Sequence, residues 1–320
     1  MKFPTRAVAV LALLVAPPAV MAQDYPSRPI HLIMPMSPGG ATDMIVRAMV
    51  PSLSATLQEA LVVENQPGAG SIVGTAAIAK SAADGYTVGV ASSAALAANP
   101  HMHKELPYDP AKDFTPVCRI GGSAYVLVVN PSLGVKTLPE LLARAKSERL
   151  SIASAGQGSS THMAQEMLKV RVGASFLHVP YKGTAPAIND TLAGHSQALF
   201  EAPAPLLPHI RSGKLIPLVV TSGRRVDSLP DVPTLEELGY KDARLEGWVG
   251  LMVRAGTPAP IVTRLSQACQ TALATPELKS QAQSLSFDIN YAPSAEFAPF
   301  IESERQKWGE LLRAAGVRPE

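Results

Sequence analysis

The stretch that decides the fold is Ile30-His31-Leu32-Ile33-Met34-Pro35-Met36-Ser37-Pro38-Gly39-Gly40-Ala41-Thr42-Asp43-Met44-Ile45-Val46. Its apolar start, Ile30–Met34, reads as a strand. Ser37-Pro38-Gly39-Gly40 breaks that run. Beyond the break, Ile45, Val46, Met49 and Leu53 recur on one face of a helix, which Pro51 is expected to kink or end early. A strand, a glycine-rich loop and an amphipathic helix make the unit of a parallel α/β sheet.

The same unit recurs outward from this point, without a fixed repeat length, so a solenoid is not expected. Residues 61–64 and 86–91 read as strands on either side of a helix over 72–81, and Asp84-Gly85 turns the chain into the second of them. Residues 117–130 stay extended around Gly121-Gly122. After Pro131 a second series begins, with strands over 150–153, 176–179, 197–200 and 215–220. Helices are expected over 138–147, 163–172, 186–193 and briefly around 206–210. Residues 248–253 are extended again, and helices fill 260–274, 276–284 and 295–315. The pattern predicts two α/β lobes, each a mostly parallel sheet flanked by helices. Residues 23–122 and 245–320 would form the first lobe and 123–244 the second. The chain then crosses twice between them, which makes a hinge beside a cleft.

Composition agrees with a buried α/β core. Of the 320 residues, 47% are hydrophobic, 17% charged and only 5% aromatic, so alanine, valine and leucine carry the interior. Lys2 and Arg6, the apolar segment 7–20 and the small residue Ala22 before Gln23 form the three parts of a secretory signal. The apolar segment is too short to span a bilayer, and Pro17-Pro18 interrupts it. Cleavage after Ala22 and a periplasmic location are expected. Loss of Lys2 and Arg6 cancels the formal charge of +2, which leaves no electrostatic footprint for nucleic acid or an anionic membrane surface. Cys118 and Cys269 could pair in an oxidising compartment. The expectation here is two buried free thiols, because cysteine is among the most buried residue types.

Ligands of open parallel sheets sit at the C-terminal ends of strands, so four strand-to-helix loops are the candidate site. The first is Ser37 to Asp43, where Gly39 and Gly40 admit a ligand close to the backbone and Ala41, Thr42 and Asp43 open a helix. The second holds Gly156, Gly158, Ser159, Ser160, Thr161 and His162, the densest set of donors in the chain. The third is Tyr181, Lys182 and Gly183; the fourth brings the hydroxyls of Ser92 and Ser93. Glu201 ends a later strand. Enzyme readings find less support. Gly68-Ala69-Gly70-Ser71-Ile72-Val73-Gly74 resembles a dinucleotide loop, but it stands off from its strand and lacks the later ribose-binding acid. No phosphate loop, nucleophile elbow or metal spacing occurs, so no catalytic residue, metal or cofactor is expected.

The ordered set of motifs resembles the tripartite tricarboxylate transporter substrate-binding proteins, the Bug family. The residues that carry the resemblance are Tyr25-Pro26-Ser27-Arg28-Pro29-Ile30, Ser37 to Asp43, Val63 to Gly70, Asp84-Gly85-Tyr86-Thr87, Tyr108 to Phe114, Gly158 to His162, Val179-Pro180-Tyr181-Lys182-Gly183 and Leu192-Ala193-Gly194-His195. The resemblance implies a type II periplasmic-binding-protein fold, the Venus flytrap. It also implies a small carboxylate held by backbone groups, hydroxyls and water: a di- or tricarboxylate, an acidic amino acid or an aromatic acid. Delivery by a monomer to membrane permease subunits follows, with presentation to a sensor kinase as the alternative. Departures from the family pattern at Met36, Gly183-Thr184-Ala185-Pro186 and Glu201-Ala202-Pro203 bear on ligand identity.

Overall fold

The computed structural model describes residues 25–319. The expected signal, 1–22, and its cleavage point lie outside them. The first lobe holds β1 (Ile30–Met34), β2 (Leu61–Asn65), β3 (Thr87–Ser92), β4 (Phe114–Ala124), β10 (Glu246–Arg254) and β11 (Asp288–Pro293), in the order β11-β4-β10-β3-β1-β2. The second holds β5 (Val126–Val129), β6 (Ser151–Ser154), β7 (Leu177–Pro180), β8 (Ala198–Glu201) and β9 (Ile216–Val220), in the order β7-β6-β8-β5-β9. Helices α1 (Ala41–Leu57), α2 (Ile72–Ala79), α7 (Ala259–Ala274), α8 (Pro276–Ser284) and α9 (Ser294–Ala314) flank the first sheet. Helices α3 (Leu138–Ala145), α4 (Ser160–Val172), α5 (Thr184–Leu192) and α6 (Pro203–Arg211) flank the second.

The two-lobed α/β fold is present, but its sheets are mixed rather than mostly parallel. β1 lies parallel to β2 and β3, and β6 parallel to β7 and β8. The strands next to the crossings run the other way: β10 against β3 and β4, and β5 against β8 and β9. A strand that enters a sheet from the opposite lobe comes in from the cleft end, so it opposes strands that leave toward the cleft. The parallel strands therefore keep their C-terminal ends at the cleft, and with them the loops into α1, α2, α4 and α5.

Local sequence explains the elements. The stripe Ile45, Val46, Met49, Leu53 and Leu57 is fully or almost fully buried against the first sheet. α1 runs through Pro51 instead of ending there. Pro51 is exposed, so the carbonyl of Arg47 that loses its partner lies on the solvent side, where water can satisfy it. Pro203 opens α6, a position that needs no N–H. Strand β11 was not anticipated; it is short, half exposed and sits at a sheet edge.

The crossings lie side by side. The Thr221 N–H donates to the Tyr125 carbonyl and the Leu245 N–H to the Thr221 carbonyl, each at 2.9 Å. The buried Thr221 hydroxyl accepts from the Tyr125 N–H at 2.9 Å and donates to the Leu245 carbonyl at 2.5 Å. One residue thus ties the outgoing passage of the chain to the returning one.

The expectation of free thiols is corrected: Cys118 of β4 and Cys269 of α7 form a disulfide, both residues being fully buried. α7 packs over the sheet with Cys269 facing the core cluster that contains Cys118, a proximity that their separation of 151 residues concealed. Replacing both cysteines by alanine should lower unfolding free energy by about 2–5 kcal/mol, because a long closed loop is released in the unfolded chain. Denaturant titration checks this. An unchanged midpoint would show that the bond adds nothing to stability.

Candidate functional site

A cavity of about 430 Å³ separates the lobes and is lined by loops of both. The first lobe contributes Ser37, Gly40, Ala41, Thr42, Asp43, Ser92 and Ser93; the second contributes Gly156, Ser159, Ser160, Thr161, Tyr181, Lys182, Gly183 and Glu201. All these sequence-selected residues therefore converge. Gly39, Gly158 and His162 do not reach the wall.

The reason Gly39 is withdrawn lies in Asp43. Its buried carboxylate accepts the Gly39 N–H at 3.1 Å, Arg47 Nε at 3.0 Å and Asn65 Nδ2 at 3.1 Å. Asn65 Nδ2 also donates to the Met36 carbonyl at 2.9 Å. Burial opposes the charge on Asp43, but these donors outweigh it and hold the carboxyl below its usual pKa. Asp43 is thus the buttress of the loop. Gly40 follows as the N-cap of α1 without any side-chain cap, which leaves first-turn N–H groups free of intrahelical acceptors.

In the second lobe the hydroxyls divide their work. Ser159 caps α4, accepting the His162 N–H at 3.3 Å, and Thr161 Oγ1 accepts the Ala155 N–H at 2.9 Å. The Ser160 hydroxyl instead crosses the cleft to Ser93 Oγ at 3.1 Å. Gly183 is the N-cap of α5, again with no side-chain cap. The lobes touch here as well: Ser37 Oγ donates to the Lys182 carbonyl at 3.4 Å, and a Cβ on Gly183 would stand 2.4 Å from Ser37 Oγ. Gly70 meets the opposite lobe as closely, since its Cβ would lie 2.3 Å from the Gln157 carbonyl oxygen.

Beneath the second loop, His162 stacks on His178 with ring centroids 3.9 Å apart and an interplanar angle of 5°. The Gly158 N–H donates to His162 Nδ1 at 3.3 Å, so that nitrogen carries no proton. The Ser154 hydroxyl meets His178 Nε2 at 2.6 Å. This packing keeps His162 and Gly158 below the cavity floor. Burial pushes His162 down to about 3, with His178 and Lys169 adding to it, and pushes His178 down to about 4.

Sequence reasoning missed several wall residues. Gly68, Ala69, Gly70 and Ser71 line the cavity, although from sequence their loop is set aside as an incomplete dinucleotide motif. The rule that picked out the other loops applies to it equally, because it follows the C-terminal end of parallel β2. Ser123, Tyr125, Gly247, Trp248 and Phe287 also line the cavity, from the crossings and their neighbours. Trp248 is held by Phe297 and Phe300 at 5.5 and 5.6 Å and by a 3.2 Å hydrogen bond from Nε1 to Glu304. Among the described residues no group of three potential metal ligands occurs, and no helix is long and apolar enough to cross a membrane.

Two α/β lobes that shut on a cavity of this size define a solute-binding protein. Residues 45–317 match the family model described as "Tripartite tricarboxylate transporter family receptor", and the chain belongs to that family. It is 36% identical over 321 residues to protein BugT of Bordetella pertussis, covering 98% of each chain. Two solved structures from Rhodopseudomonas palustris, each 28% identical, superpose closely. Rpa4515 with adipate has a TM-score of 0.88 and covers 93% of this chain and 100% of its own. MatC with bound malate has a TM-score of 0.85 and covers 90% and 100%.

The stacked histidines make a pH prediction. An unfolded histidine takes a proton near pH 6.5, whereas these rings stay neutral until about 3 and 4. Between those values the unfolded state binds more protons, so their stabilisation is complete above pH 6.5 and falls with pH. At pH 5 each ring should cost about 2 kcal/mol relative to pH 7. In thermal melts, His178→Asn should lose less stability than the native chain over that interval. Equal losses would refute the assignment.

Proposed function

We propose that the protein is a non-catalytic receptor that closes its lobes on a small carboxylic acid and hands it to membrane permease subunits. The observation that carries this reading is the convergence of the first turns of α1, α4 and α5 on one cavity, where exposed Lys182 is the sole cationic side chain of the wall. A helix N-terminus offers about half a positive charge together with free N–H donors. Termini from opposite lobes can meet one anion only when the lobes are shut, so binding and closure become one event. Adipate and malate, which relatives hold, are acids of this class.

On this reading residues 23–122 with 245–320 and residues 123–244 move as lobes about the Thr221 junction. The cavity residues of the four loops, together with Glu201, form the ligand site. The disulfide suits an oxidising compartment, and with it export and cleavage after Ala22 to leave a monomer in the periplasm.

Calorimetry with succinate, malate, adipate, aspartate, citrate and benzoate tests the proposal. At least one acid should bind, be recovered unchanged and compact the protein in small-angle scattering. A Cβ on Gly40 would lie 3.7 Å from Thr184 Oγ1, so the branches of Gly40→Val would reach across the gap between α1 and α5. That variant should weaken binding more than about tenfold, or ~1.4 kcal/mol. Lys182→Met should alter the ranking of acids while binding persists. If Lys182→Met abolishes binding of every acid and Gly40→Val binds normally, a lysine holds the anion and the proposed site is wrong.

A further inference from the structure

Glu201 ends β8 in the cavity wall with 5% of its surface exposed. Its Oε1 accepts the Ala202 N–H at 2.9 Å; its Oε2 is fully buried and makes no hydrogen bond of standard geometry. The charged and titratable groups around the cavity are few. Tyr125, between β4 and β5, keeps its phenol neutral through burial. Asp43 of α1 already has its charge met by Arg47 and Asn65. Tyr181 and Lys182 come from the segment before α5, where Tyr181 is pushed up to about 12 by burial and Asp190. α5 faces the carboxyl with the Thr184 hydroxyl, and α4 brings the Ser160 hydroxyl into the same wall. No lysine or arginine is buried beside Glu201 among the described residues.

An ionised Glu201 would repel the acid that the helix N-termini attract. Given a receptor that binds a small carboxylic acid, we infer that Glu201 enters the complex as the neutral acid. It donates its Oε2 hydroxyl to a carboxylate oxygen of the ligand, so that one proton is bound with each acid. Two carboxyl groups that share a desolvated site hold a proton between them. Glu201 lines the cavity, and its buried Oε2 is left without a hydrogen-bond partner of standard geometry. Burial of Glu201 acts in the same direction, raising it to about 7 before any ligand arrives, although the Ala202 N–H and the Thr184 hydroxyl favour the charged form. The proton comes from solvent, rests on Oε2 while the lobes are shut and returns to solvent on release. No other bond changes. Glu201 thereby selects ligands that present an unsubstituted carboxylate oxygen at this end of the cavity.

The tightest acid of the panel whose own carboxyls stay ionised above pH 6 is the probe. Calorimetry at pH 8 in buffers of different ionisation enthalpy should record uptake of about one proton per ligand, and affinity should fall about tenfold from pH 6 to pH 8. The neutral donor Glu201→Gln should take up no proton on binding and lose the pH dependence of affinity. Zero uptake by the native protein overturns the proposal whether or not the variant folds. Loss of binding in a folded Glu201→Gln, with affinity confined to amino- or hydroxy-acids, would mean that Glu201 is an ionised acceptor and would overturn it too. Absence of heat with every acid would refute the receptor reading itself.

Discussion

The whole arrangement rests on one buried side chain at the crossings. Thr221 lies where the chain leaves the second sheet, and its backbone and hydroxyl engage both Tyr125 and Leu245. The hydroxyl uses its donor and an acceptor on opposite passages of the chain, so neither passage can slide past the other without stranding a buried polar group, at a cost of about 1–3 kcal/mol. Because the crossings are pinned together, the parallel strands of both sheets point their C-terminal ends at the same gap. The cavity follows from that constraint, as does the face-to-face position of α1 and α5.

The closed cavity answers an electrostatic problem in an unusual way. Its wall carries two carboxyls and a single exposed ammonium, which by charge count alone is poor for an acid. Asp43 is removed from the balance by Arg47, Asn65 and Gly39, whose hydrogen bonds offset the cost of burying it. Glu201 has only the Ala202 N–H and the Thr184 hydroxyl and no cationic partner, and burial raises its pKa toward neutrality. What remains positive is the set of peptide dipoles at the helix starts. These are fixed in place by the fold, unlike a flexible lysine, and they act only within the first turn. They suit a receptor that must release its ligand, since opening the lobes separates them.

Much of this was legible in the sequence where the cause was local. β1, α1 and the loop between them follow from an apolar run, a glycine pair and a helical stripe, and three of the four loops chosen for their position after parallel strands line the cavity almost throughout. The causes that escaped are those set by distant residues. β10 is an apolar run whether its neighbours are parallel or not, so the mixed sheets could not be read from it. The disulfide depends on α7 lying over β4. Ser159 looks like a ligand donor and is also a cap, while His162 looks like a ligand donor and is buried against a stacking partner from another strand. Nothing local in the sequence marks Trp248 and Phe287, because only the meeting of the lobes brings them into the wall.

A crystal structure of the protein with a bound acid is the most direct test of anion capture by helix starts. One ligand carboxylate should lie within about 2.7–3.2 Å of first-turn N–H groups of α1 and of the facing second-lobe loops, with the lobes closed around it. A carboxylate held by Lys182 Nζ at the mouth of the cleft, with the helix starts occupied by water alone, would contradict that mode of binding.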